Sequence, residues 1–139
     1  LGSPGINFME ATGLSAGAGQ AVVQLADGSR LRCDVDARRA QAGDKVTLGV
    51  RPEHLRPGAG DNTIGAKVTF VDRLGGTSFV YFDFPKAEMS LTAELPGSLR
   101  VHQGDAMTLA VPPASCYLFD AAGHAFPRVL PAQPEQRAA

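Results

Sequence analysis

A chain of 139 residues, 44% apolar and 19% charged, makes one domain or two small modules sharing a core, and is too apolar to be disordered. Sixteen glycines and ten prolines require many turns between short elements and exclude long helices, and no apolar run approaches the ~18 residues of a membrane-spanning helix. Thirteen basic against fourteen acidic residues, a net charge of −1, leave no basic excess for gripping nucleic-acid phosphates.

Period-2 alternation then sets the elements in order. In Arg30-Leu31-Arg32-Cys33-Asp34-Val35 the apolar Leu31, Cys33 and Val35 share one face of a half-buried strand. Asp27-Gly28, between two alternating runs, is a hairpin turn. Asp36 can cap the Ala/Arg run after it and Gly43 lies just beyond, so 36–41 is predicted as one short helix. Strands are expected over 45–51, with Val46, Leu48 and Val50 inward, and over 66–71, 79–84, 88–93 and 107–111. Gly75-Gly76 joins two of these as a hairpin, and Phe79-Val80-Tyr81-Phe82, apolar on both faces, belongs in a central strand. The Pro/Gln/Ala-rich stretch 127–139 is expected to be a disordered tail.

One feature exceeds composition. Gly43-Asp44-Lys45-Val46-Thr47-Leu48-Gly49-Val50-Arg51-Pro52 aligns with Gly104-Asp105-Ala106-Met107-Thr108-Leu109-Ala110-Val111-Pro112-Pro113 at a constant offset of 61. Such a period is too long for a solenoid and suits two similar β modules. The predicted fold is therefore all-β, two small OB-like barrels packed together, with 1–8 a linker and first strand, 9–60 the first module and 61–126 the second.

Local catalytic signatures are absent. There is no Gly-Lys pair for a phosphate loop and no G-x-S-x-G. Gly17-Ala18-Gly19 and Gly58-Ala59-Gly60 lack the third glycine and the following helix of a dinucleotide fingerprint. His54, His102 and His124 are isolated, and Cys33 and Cys116 form no C-x-x-C, so no zinc pattern exists and the cysteines read as free buried thiols of a reducing compartment. Catalytic, cofactor and metal residues are all expected to be none. The first residue, Leu1, makes the chain read as part of a longer polypeptide.

Three phrases carry a resemblance: Gly2-Ser3-Pro4-Gly5-Ile6-Asn7-Phe8; Leu48-Gly49-Val50-Arg51-Pro52-Glu53-His54-Leu55; and Tyr117-Leu118-Phe119-Asp120. In this order and spacing they resemble the transport-associated (TOBE-type) C-terminal region of the ATPase subunits of bacterial carbohydrate and glycerol-3-phosphate importers. The resemblance runs from Leu1 to about Phe126. It implies a non-catalytic regulatory and dimerisation domain at the cytoplasmic face of the membrane. ATP and magnesium would belong to a separate ATPase domain. The partners implied are a second copy, that ATPase domain, the membrane permease subunits, and a regulatory protein or small effector.

Several residues keep two readings. Arg51, Pro52 and Glu53 either lock a strand exit, with Arg51 and Glu53 pairing, or touch a partner. Gly2, Ser3, Pro4, Asn7 and Phe8 form a hinge and first strand or a binding loop, with Phe8 in the core. Phe79, Tyr81 and Phe82 are core or a base-stacking platform. Arg30, Arg32, Arg38 and Arg39 are a solvated face or a docking patch. At the level of function, a small-oxyanion (molybdate-like) binding domain and an oligonucleotide-binding barrel are the alternatives.

Overall fold

The computed structural model describes residues 5–129. Ten strands run β1 (Asn7–Ala16), β2 (Ala21–Leu25), β3 (Arg30–Cys33), β4 (Lys45–Val50), β5 (Arg56–Pro57), β6 (Thr63–Arg73), β7 (Thr77–Asp83), β8 (Leu91–Pro96), β9 (Ala106–Ala110) and β10 (Tyr117–Phe119). They make two antiparallel five-stranded sheets, ordered β10-β4-β1-β2-β3 and β5-β9-β6-β7-β8. The chain is all-β as expected, and β7, holding Phe79 to Phe82, has a neighbour on either side.

The 61-residue repeat is realised in hydrogen bonds. Before β4, the Asp44 carboxylate accepts the Gln41 N–H at 2.9 Å; before β9, the Asp105 carboxylate accepts the His102 N–H at 2.9 Å. In both turns the next-to-last residue is a glycine in the left-handed region, Gly43 at φ +92 and Gly104 at φ +94, where a Cβ would be strained. Gly43 donates to Gly13 O and Gly104 to Val68 O, both at 2.8 Å. Each acceptor sits just before a register shift, in β1 and in β6 respectively. These bulges add twist and let a long first strand serve two neighbours.

The two halves exchange their last strands. After β4 a 3-10 turn (Pro52–His54) carries the chain to β5, which pairs with β9 of the second sheet. After β9 the matching 3-10 turn (Pro113–Ser115) leads to β10, which pairs with β4 of the first sheet. Residues 56–57 thus lie in the second sheet and 117–119 in the first. Proline at the start of each turn removes an N–H and ends the ladder, so the chain must leave its own sheet. Inward side chains of both sheets, among them Met9, Leu31, Leu48, Leu55, Ile64, Phe82, Leu91 and Leu109, form one continuous core.

Three expectations are corrected. Residues 36–41 form no helix: the Ala40 N–H closes a single turn on Ala37 O and the Gln41 N–H goes to the Asp44 carboxylate, while Asp36 and Ala37 N–H bond Pro127 O and Gly17 O. The Asp36 carboxylate does bond the Arg38 N–H, as an isolated turn rather than a cap. The strand expected at 88–93 begins at Leu91, because Glu88 N–H is spent on Phe8 O. Residues 127–129 are tied down: Arg128 bridges Val35, and Val129 N–H donates to Asp34 O at 2.9 Å. The rest of the expected tail, and Gly2, Ser3 and Pro4, lie outside the described residues.

Candidate functional site

The described parts of the three phrases come together on three adjacent strands of the first sheet. β1 opens at Asn7 and Phe8, which pair with Val50 and Gly49 of β4; on the other side of β4, Tyr117 and Leu118 of β10 pair with Gly49 and Leu48. Glycine at 49 leaves room for close packing: a Cβ there would meet Ile6 Cδ1 at 3.0 Å and Phe119 Cε2 at 3.2 Å, and both side chains would have to give by a few tenths of an ångström. Over that gap Phe8 and Phe119 stack edge to face, with ring centroids 5.8 Å apart. Phe8, expected in the core, is half-buried on this outer face. Leu118 points inward and is buried.

Asn7 does more than begin a strand. Its buried carboxamide donates to Val50 O (3.0 Å) and Thr92 O (2.9 Å) and accepts the Thr92 N–H (2.8 Å), stitching β1 to β8 of the other half. Asn62, just before β6, repeats the arrangement: it donates to Val111 O (2.6 Å) and Arg32 O (3.1 Å) and accepts the Arg32 N–H (2.7 Å). Val50 and Val111 are 61 residues apart, so each asparagine makes the same three bonds, one within its own half and two to the other half's third strand. Sequence reasoning missed Asn62; the available signal was an asparagine opening the first strand of each repeat. Each amide has both donors and its acceptor satisfied, which burial demands.

Arg51, Pro52, Glu53 and His54 form the first 3-10 turn and its cap, closed by the His54 N–H on Arg51 O and the Leu55 N–H on Pro52 O. Pro52 is buried, while Arg51 and Glu53 are exposed and do not pair with each other. Arg51 and Arg128 both lie against the Tyr117 ring, 5.7 and 4.1 Å from its centroid. The His54 Nδ1 is buried without a hydrogen-bond partner. Asp120 caps the hairpin after β10, accepting N–H bonds from Ala122 and His124 and the Arg39 guanidinium at 3.0 Å. Those bonds, the His124 N–H foremost and the Arg39 guanidinium next, hold its carboxyl below the usual range.

Two of the open readings close. Phe79 and Phe82 are buried, and only Tyr81 turns outward, against the exposed ring of Phe70 (5.7 Å), so the three do not form a stacking platform. The arginines do not make one patch: Arg32 pairs with Asp61, Arg38 with Asp36 and Arg39 with Asp120. Cys33 and Cys116 are free and fully buried, and the hydrogen bond between them, with burial, pushes the Cys33 thiol well up. No helix among the described residues is long and apolar enough to cross a membrane.

What remains on the surface is a groove of about 570 Å³ at the seam of the two sheets. Ile6 and Phe8 line one side and Tyr81, Met89 and Leu91 the other. Met89 is 83% exposed, and Phe70 beside Tyr81 is 59% exposed. Exposed apolar side chains clustered in this way mark an interaction surface rather than a reaction centre.

Comparison with known proteins agrees with this layout. The model described as MalK OB fold domain matches residues 2–55, and the one described as TOBE domain matches residues 48–119. The chain is 34% identical over 131 residues to the maltose/maltodextrin import ATP-binding protein MalK of Vibrio vulnificus, strain YJ016. It is 33% and 30% identical over 130 residues to those of Vibrio cholerae and Salmonella typhi. These alignments cover 93–94% of the chain but 35% of each relative, so the chain spans about a third of their length. Among solved structures, the cytoplasmic molybdate-binding protein ModG superposes with a TM-score of 0.68, covering 84% of this chain and 94% of that one. At 14% identity that likeness speaks for the fold.

Proposed function

Because the chain belongs to the TOBE domain family, we propose that it is the non-catalytic regulatory and dimerisation domain of the ATP-binding subunit of a bacterial sugar importer. The single observation that carries the reading is the pair of adjoining family matches, MalK OB fold then TOBE, running together through residues 2–119. In this reading the domain stands at the cytoplasmic face of the membrane, joined to an ATPase domain that binds ATP and magnesium and works with permease subunits. Arg51, Pro52 and Glu53 then lock the exit of β4.

The apolar groove supports self-association. A two-fold contact is self-complementary, so one patch around Phe8, Tyr81 and Met89 serves both copies. A lasting contact there keeps the two tethered ATPase domains at high effective concentration while they open and close. The test is a chimaera in which this chain replaces the matching third of Vibrio cholerae MalK. Maltose-dependent growth and regulated uptake are expected to be retained. Complete loss of uptake by a folded, membrane-associated chimaera contradicts the reading, and tight molybdate binding would instead favour an oxyanion role.

A further inference from the structure

The two halves match so closely that their departures stand out. The link between β2 and β3 is residues 26–29, whereas its counterpart between β7 and β8 is residues 84–90. Likewise β10 is followed by a closed hairpin, Phe119 bridging Ala125, that has no counterpart after β5. Both additions rise around one cleft of about 520 Å³ on the outer face of the first sheet, the longer link contributing Lys86 and the hairpin Ala121. The link is bent onto β1 by Glu10 N–H donating to Lys86 O, and Lys86 is held at φ +61. It is the one non-glycine residue with positive φ among the described residues, and backbone strain of this kind persists where surrounding structure enforces it.

Gln24, Thr12 and Lys45 stand in one row across β2, β1 and β4, and Glu10 and Thr47 in the next. Neither Lys45 nor Lys86 has a carboxylate within ion-pair distance among the described residues. Two lysines line the recess with a carboxylate residue, an amide residue and two threonines, a set that offers charge for a phosphate and acceptors and donors for hydroxyls. The volume is that of a small-metabolite site.

We propose that this cleft binds the phosphate monoester of a polyol, its phosphate between Lys45 and Lys86 and its hydroxyls on Glu10 and Gln24. This deepens the regulatory reading by giving it a small ligand, and it can fail while self-association stands. The corresponding face of the second sheet has neither addition, so its Lys67 provides an internal control.

Calorimetric titration of the 139-residue chain with glucose 6-phosphate, glucose and inorganic phosphate tests the site. Glucose 6-phosphate is expected to bind at least ~10-fold tighter than either of the others. Lys45→Gln and Lys86→Gly are each expected to weaken it about 10-fold, the loss of one charge-assisted contact, while Lys67→Gln leaves it unchanged. Glycine suits φ +61, so Lys86→Gly should keep or raise the melting temperature and separates lost binding from lost fold. No binding of glucose 6-phosphate at millimolar concentration, or equal weakening by Lys67→Gln, overturns the proposal.

Discussion

Two asparagines fasten the halves together. Asn7 and Asn62 each place a buried carboxamide against three backbone groups, two of them on the opposite half. Removing one leaves a buried N–H and two carbonyls without partners, and alanine at either position is expected to cost about 2–4 kcal/mol in urea unfolding. The two losses should be alike, because the bonds are alike. Asp120 acts at the surface instead. Its carboxyl is held low by the His124 N–H and then the Arg39 guanidinium, so its native pKa lies below its unfolded value. The stabilisation is therefore full above the unfolded value of about 3.9 and disappears as pH falls through the native one. NMR titration is expected to show the Asp120 carboxyl and the His124 amide moving together below pH ~3.9, and Asp120→Ala should remove the His124 response.

At the scale of elements, what a sequence reveals depends on which forces are local. The alternation in 45–51 fixed β4 because Val46, Leu48 and Val50 bury one face whatever lies opposite. The Gly43-Asp44 and Gly104-Asp105 turns were legible because aspartate and positive-φ glycine define them within four residues. Residues 36–41 misled because the N–H groups a helix would bond four residues back go elsewhere, Ala40 to Ala37 O and Gln41 to the Asp44 carboxylate of the following turn. The three site phrases could be read, but their meeting on β1, β4 and β10 depends on strand exchange, a non-local pairing no short window contains. The same exchange predicts mechanical unity. Leu55, fully buried, leads into β5 and packs in the shared core. Leu55→Ala is expected to cost about 2–5 kcal/mol and to lower one single unfolding transition. Two separated transitions, one for each half, would contradict a reciprocal exchange.

As a whole the molecule is a duplicated β unit whose halves complete each other, leaving its edges covered and its outer faces for contacts. Two recesses carry the proposals: the seam groove with Phe8, Tyr81 and Met89, and the walled cleft above the first sheet with Lys45 and Lys86. With the first proposed for self-association and the second for a small ligand, the domain would be a handle that joins two copies and senses a metabolite. The proposed joining comes first, because a regulatory handle that does not pair could not hold two ATPase domains together. Light scattering after size exclusion measures it directly: the account predicts a mass of twice 14.5 kDa that falls to one chain on Met89→Glu with the fold retained. A single-chain mass at every concentration up to the millimolar range would contradict it.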